Sequence, residues 1–361
     1  MQSRNKIVIA SAGAGKSSYL IKAAYHSTPY RKAVVTYTNA NTRELINKAR
    51  ENGKSHNPEV MFSPWYTFLL KHFVRPYQRA VYSKCRIDRM LLVAGSSPYG
   101  ISKVREEYYC PSPGLIYSDK VSEFACEVID KTSGAPIQRL EKCFGELLID
   151  ECQDLTAYDL QLIEHLLRSD VKMKLVGDPR QAVLPTNHNR LRKGFKNENI
   201  VKQFERWREA GLCEVTYHAR SHRCTQPICD FADQFFPELP KTQSLNNEST
   251  AHDGVFAVRL RDVAQYRDEF QPQCLRFSKK TRNAPLDSLN FKISKGRTFC
   301  RTLIFPTKKF CDFLAGKLHA QSAGNAPTNY VSITRARQSV AFVVPDSFTE
   351  CILPIMYSEK G

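Results

Sequence analysis

Residues 6–25 read KIVIASAGAGKSSYLIKAAY, and this stretch leaves the backbone little choice. KIVIA, from Lys6 to Ala10, is an apolar run rich in β-branched side chains, which predicts a buried strand. YLIKAAY, from Tyr19 to Tyr25, carries apolar residues at helical spacing. The join, SAGAGKSS, holds only small residues and one lysine. A strand, a small-residue loop and a helix in that order let backbone amides turn inward at the positive end of the helix, which makes a cradle for phosphate oxygens. Ala12, Gly13, Ala14 and Gly15 would supply the cradle, Lys16 would reach the outer phosphates of a nucleoside triphosphate, and the Ser17 hydroxyl would ligate magnesium. The strict pattern has glycine where Ala10 stands, so the loop alone specifies a generic triphosphate site.

The rest of the chain alternates as a parallel α/β sheet does. KAVVTYT (Lys32 to Thr38) predicts a strand, NTRELINKAR (Asn41 to Arg50) a helix, and GELLIDE (Gly145 to Glu151) and MKLVGD (Met173 to Asp178) two further buried strands. In such sheets the functional groups gather at the carboxyl ends of strands. Thr38, Asp150, Glu151 and Asp178 all fall there. In LLIDE, three apolar residues and an acid pair end a strand, so that one carboxylate can hold a magnesium shell and the other can orient or deprotonate water. Paired acids at a strand end are otherwise commonly a solvated turn; the phosphate loop upstream is what favours the chemical role.

Composition narrows the partners. The chain has 361 residues, enough for two domains, with 42% hydrophobic and 25% charged residues and a formal net charge of +17. That excess favours a polyanion such as DNA or RNA. Basic clusters stand at Arg31 and Lys32, at Arg190, Arg192, Lys193 and Lys196, at Lys279, Lys280 and Arg282, and at Lys308 and Lys309. No run of about 18 apolar residues is present to span a bilayer, and the start MQSRNK lacks a secretory apolar segment, which predicts a cytoplasmic chain with no membrane partner. The 12 cysteines have no regular spacing, so reduced thiols are expected. Cys213, His218, His222 and Cys224 are close enough to raise a zinc site, but their spacing matches no standard finger and buried thiols are the simpler reading.

The order of these segments resembles the UvrD/Rep-like branch of superfamily 1 DNA helicases. ASAGAGKS is similar to that family's phosphate loop, VVTYTNANTRELINKAR to motif Ia, YTFLLKHF to motif Ib, IDECQD to motif II and LVGDPRQAV to motif III. YHARSHRCTQPI resembles motif IV, ISKGRTF motif V and NYVSITRARQSV motif VI, so the likeness runs from about Ile7 to Val344. The resemblance implies two RecA-like P-loop NTPase motor domains with parallel sheets. The first would comprise residues 1–80 and 141–190 with a small helical insertion at 81–140, and the second would comprise residues 191–361.

It also implies roles. Asp150 would hold magnesium, Glu151 would activate water, and Gln181 would sense the γ-phosphate. Arg220 and Arg335 would act as arginine fingers from the second domain. Lys295 and Gly296 would couple nucleotide to nucleic acid. Thr38, Asn39, Thr67 and Phe68 would line the strand's track, with Phe68 or Trp65 as a stacking face unless these rings are core. The implied activity is ATP-driven translocation on single-stranded DNA, 3′ to 5′ by family habit, with RNA an open alternative. Short helicases of this kind resemble those paired with nucleases in phage-defence systems such as Gabija, so a nuclease partner and a role in antiviral defence are expectations by analogy alone.

Departures from the family pattern limit the carry-over. The interval from Cys224 to Phe291 is too short for the large accessory domain, which leaves an ATP-switched nucleic-acid sensor or assembly subunit as the alternative to a processive helicase. Ala219 stands where motif IV has a tyrosine for adenine, Thr298 replaces a glutamate near the ribose, and Lys292 replaces a histidine. LPTNHNR replaces the aromatic and arginine run after motif III; His188 there is a candidate stacking group, with a surface histidine the simpler reading.

Overall fold

Each apolar run flanked by small or polar residues becomes a strand of a parallel sheet. In the computed structural model the described residues are 4–54, 56–93, 100–103, 105–183 and 199–357. The expected basic cluster at Arg190, Arg192, Lys193 and Lys196, and His188, lie outside them. The strands of the first sheet are β1 (Lys6–Ala10), β2 (Lys32–Thr36), β3 (Val60–Pro64), β4 (Glu146–Ile149), β5 (Lys172–Gly177) and β6 (Glu214–His218). They run in the order β3-β2-β4-β5-β1-β6. The pairs β1/β5, β2/β3, β2/β4 and β4/β5 are parallel. The helix after the loop is α1 (Lys16–Tyr25), and the next, α2 (Asn39–Glu51), starts two residues earlier than expected because Thr38 caps it.

The second sheet is built from β7 (Gly254–Arg259), β8 (Gln273–Arg276), β9 (Leu289–Asn290), β10 (Phe299–Phe305) and β11 (Ala336–Val344) in the order β7-β11-β10-β8-β9, again parallel throughout. Central β11 and β10 are apolar and buried along most of their length, as strands covered on both faces must be. The mixed α/β architecture with parallel sheets expected from sequence is therefore present.

The chain divides into two compact units, one of residues 1–9, 16–179 and 184–216, the other of residues 10–15, 180–183 and 217–361. Two sequence expectations change. The first unit continues past 190 to Thr216, because the helix Ile200–Glu209 packs Ile200, Phe204 and Trp207 into its core and β6 joins its sheet. Residues 81–140, expected as a small insertion in the first domain, share its core: Ile87, Tyr109, Ile116, Val121, Phe124 and Ile129 belong to the same apolar cluster as Ile7, Leu147 and Leu175.

The centre of this merged region is Glu123, on the helix Val121–Lys131 and 1% exposed. Burial alone would raise its carboxyl, but hydrogen bonds from Lys103 (2.5 Å), Tyr108 (2.8 and 2.9 Å) and Lys120 (3.1 Å) outweigh that and hold it below its ordinary value. Lys32 corrects the charge map. Expected among surface cations, it is 2% exposed, its ammonium donating to the carbonyls of Ala23 (2.7 Å) and His26 (2.8 Å) and pairing with buried Glu146 at 3.5 Å.

Candidate functional site

The acid pair emerges from β4 as the strand ends. The Asp150 amide still bonds to the Val35 carbonyl of β2 (2.9 Å), and its Oδ1 accepts the Glu151 amide (2.9 Å). Glu151 itself turns into the left-handed region at φ 54°, ψ 40°, a conformation that costs a non-glycine residue roughly 1–2 kcal/mol and clusters at functional positions. Its carboxylate is then gripped by the Gln153 amide, which donates to Oε2. The other end of Gln153 accepts the Asp178 amide at 3.0 Å, so one buried glutamine ties the end of β4 to the end of β5.

Gly177 makes this possible. A Cβ there would run into the Gln153 carboxamide and come 2.7 Å from Cys152 Sγ. Burial, with Asp150 and Glu151 nearby, pushes the Cys152 thiol well up, so it stays neutral beside the acids. A small pocket lined by Val35, Thr36, Tyr37, Trp65, Ile149, Asp150, Glu151 and Leu155 lies behind the pair.

The other groups of the first unit are placed as follows. Lys16 and Ser17 open α1 and are half-buried, and the Ser17 hydroxyl accepts from Lys48 Nζ at 3.4 Å. Thr38 is the N-cap of α2: its Oγ1 accepts the Asn41 amide at 3.1 Å and donates to Asn41 Oδ1 at 2.9 Å. Asn39 and Thr67 are exposed. Trp65 and Phe68 are not. Trp65 is 1% exposed with its indole N–H donating to Asp159 Oδ1 (2.7 Å), and Phe68 is fully enclosed by His72, Phe73 and Phe144. Of the two readings open for these rings the structure gives core, since neither offers a face to a base.

The small-residue loop, residues 10–15, belongs to the second unit and is held by other residues of that unit. Ser11 donates its amide to the His218 carbonyl (3.2 Å), and its hydroxyl meets Thr242 Oγ1 (3.0 Å) and Arg180 (2.9 Å). The Ala12 amide donates to the Tyr330 hydroxyl (3.3 Å), and the Gly13 carbonyl accepts the His222 amide (3.0 Å). Gly13 needs to be glycine twice over: its φ is +77°, and a Cβ would stand 2.6 Å from Ser221 Oγ and 2.7 Å from Arg223 Cβ. Gly15 shares the positive φ, and Ala14 turns its amide back to Ser11 O at 3.1 Å.

Two residues expected to read phosphate do meet. Arg335, 1% exposed just before the long strand β11, lies against Gln181, its Nη2 3.3 Å from Gln181 Oε1. Its Nε donates to Val331 O (2.9 Å) and its Nη1 to Arg297 O (3.4 Å). Arg220 is exposed on the two-residue strand Arg220–Ser221, paired with Gln243–Ser244. Lys295 is half-buried, and Gly296 is exposed with φ +87°. Cys224 donates to Thr334 O at 3.7 Å, and among the described residues no group of three or more His, Cys, Asp or Glu is arranged to hold a metal ion. Among them, too, no helix is long and apolar enough to cross a membrane.

Sequence reasoning missed Gln153, Arg180, Thr242 and Tyr330. Gln153 lies inside a motif already singled out, and its spacing two residues after Glu151 was a usable signal. Thr242 and Tyr330 approach the loop from more than 200 residues away, and spacing carries no trace of that.

No family model matches the chain, and no curated protein matches it. Solved structures similar to it include the crystal structure of Arterivirus nonstructural protein 10 (helicase) and the complex structure of that protein with DNA. Each is 15% identical over 95% of this chain, with TM-scores of 0.47 and 0.48. The chain spans 60% and 61% of those two chains, about three-fifths of their length.

Proposed function

We propose that the chain is a nucleic-acid-dependent ATPase of the UvrD/Rep-like kind that translocates 3′ to 5′ on single-stranded DNA. The observation that carries this is Glu151, set at the end of a parallel strand in a left-handed turn, held by Gln153 and adjoining Asp150. A carboxylate fixed that firmly is suited to orienting water for attack on a terminal phosphate.

The remaining groups fit a triphosphate and a hard divalent cation. The positive-φ glycines Gly13 and Gly15 give the loop the concave backbone that binds anions. Ser17 and Asp150 supply the hydroxyl and carboxylate oxygens that suit magnesium, which when bound would neutralise charge on the transferred phosphoryl group. Lys48 would give up its contact with Ser17 when that hydroxyl turns to the cation. Gln181 and Arg335 would act together on the γ-phosphate, and exposed Arg220 would add a second guanidinium. Thr38, Asn39, Thr67 and Lys295 remain the proposed contacts to the strand, and Trp65 and Phe68 do not. A protein partner such as a nuclease, and a defence role, rest on the sequence resemblance.

ATP turnover with and without single-stranded DNA or RNA, for the parent and for Glu151→Gln, tests the reading. Stimulation by polymer in the parent, and a fall of about 100-fold or more in the variant, are expected. Equal turnover with and without polymer would sink the motor, and an unaffected variant would sink the site. A second reading is favoured by the stretch from 225 to 290. There the described chain builds β7, β8 and β9, the two-residue strand Gln243–Ser244, the helices Gln226–Asp233 and Val263–Phe270 and the 3₁₀ turn Leu260–Asp262. With no accessory unit in that stretch, the chain could serve as an ATP-switched sensor. ATPase without separation of a tailed duplex would favour it.

A further inference from the structure

The strongest cationic feature of the first unit was not among the sequence clusters. The helical run from Trp65 to Ala80, with a π-helical turn at Leu70–Val74, and the loop after it enclose a cleft of about 580 Å³. Lys71, Arg75, Arg79, Lys84 and Arg86 line it, and among the described residues no Asp or Glu does. In sequence these cations are spread over sixteen residues and separated by uncharged ones; the helix and the returning loop bring them together. Lys71, Arg79 and Arg86 form no ion pair with a described residue.

The cleft is also built rather than incidental. Gln78, 7% exposed, donates to Cys85 O (2.5 Å) and accepts the Ile87 amide (2.9 Å), which pins the loop wall to the helical wall. Arg75 completes the tie, donating to Ile87 O (3.0 Å) and Asp88 O (2.7 Å). Carbonyls orient this guanidinium without neutralising it. Crowding five cations around one concavity is unfavourable for the folded chain alone, and a polyanion relieves it.

We infer that this cleft binds the phosphodiester backbone of the nucleic acid, with Arg79 and Arg86 as its principal contacts and Gln78 as the residue that shapes it. The inference rests on the proposed nucleic-acid dependence and adds a location to it. Guanidinium forks match phosphate oxygens in pairs, and contacts of this type hold a strand without reading its bases.

The test is fluorescence anisotropy of the full chain with a labelled single-stranded oligonucleotide of about 20 nucleotides, DNA and RNA in turn, from about 50 to 200 mM salt. Arg79→Ala/Arg86→Ala should weaken binding at least several-fold and reduce the slope of log affinity against log salt by about 1.4, near 0.7 per lost contact. ATP turnover without polymer should not change. Arg79→Lys/Arg86→Lys should keep most of the slope, which separates charge from folding. A parent that binds while the alanine variant matches its affinity and slope would overturn the inference and leave the ATPase reading standing. An equal loss from Lys279→Ala/Lys280→Ala, exposed cations of the other unit, would overturn it too, by marking the effect as general charge. A parent that binds neither polymer would overturn both readings together.

Discussion

His72 is 4% exposed between the rings of Phe68 (4.8 Å) and Phe144 (5.3 Å), with no hydrogen-bond partner at either ring nitrogen. Burial pushes its imidazole down from 6.5 to about 4, and Arg139, Lys71 and Arg31 add to the effect. Between those values the unfolded chain takes up a proton that the folded one refuses. His72 therefore leaves stability intact above about pH 6.5 and lowers it as the pH falls toward 4. The full loss is on the order of 3 kcal/mol, of which about 2 is expected between pH 7.5 and pH 5. His72→Leu should remove that slope, read as the difference between urea midpoints of parent and variant at the two pH values; parallel pH profiles would refute the assignment. The ring was quoted in the sequence only as part of a motif. Nothing in YTFLLKHF distinguishes a histidine facing solvent from one wedged between phenylalanines, because that depends on Phe144, which is 72 residues away. The same blindness left Trp65 and Phe68 open between stacking face and core, whereas the placement of Lys16 at the start of α1 and of Asp150 and Glu151 at the end of β4 was legible because it depends on immediate neighbours.

Among elements, β1, α1, β2, β4 and β5 were readable from apolar runs and small-residue breaks. The 3₁₀ turn Cys152–Asp154 was not, since it is shaped by what β5 leaves room for. Gly177→Ala tests that dependence. The added methyl has backbone as well as side chain in its way, with the Cys152 amide at 3.1 Å, so relief by rotamer change is incomplete. A cost of about 1–3 kcal/mol is expected, with turnover falling further than stability, because the turn that moves carries Gln153 and through it Glu151. Thermal melting and ATP turnover on one preparation check this; full turnover would show that Glu151 does not depend on the contact. The loop's tertiary anchors, Thr242 and Tyr330, belong to the same class of unreadable detail. Its glycines were visible, and what they pack against was not.

For the whole molecule the main surprise is residues 81–140. The family resemblance implied a small helical insertion here, and the helix Val121–Lys131 is buried on nearly every side and shares its core with the first sheet. Deleting residues 81–140 with a short linker should therefore leave a first unit that does not fold, as seen by loss of a cooperative melt; a cooperative melt near the parent temperature would restore the insertion view. A lighter probe is Glu123→Gln, which leaves Lys120 and Lys103 facing a neutral amide in place of their buried counter-ion. Removing one partner of such a group costs about 3–5 kcal/mol, and a chemical-denaturation midpoint unchanged from the parent would contradict the network.

The left-handed turn at Glu151 has a genetic corollary. Both glutamate codons become glycine codons through one change at the middle base, and glycine is the residue that this backbone angle favours. Here Glu151→Gly would exchange the carboxylate for roughly 1 kcal/mol of conformational relief. On the proposed function, the allele would produce protein that is inert yet not poorly folded, able to occupy nucleic acid without turning over. Such a protein would behave as a dominant obstacle where a destabilised null would simply disappear.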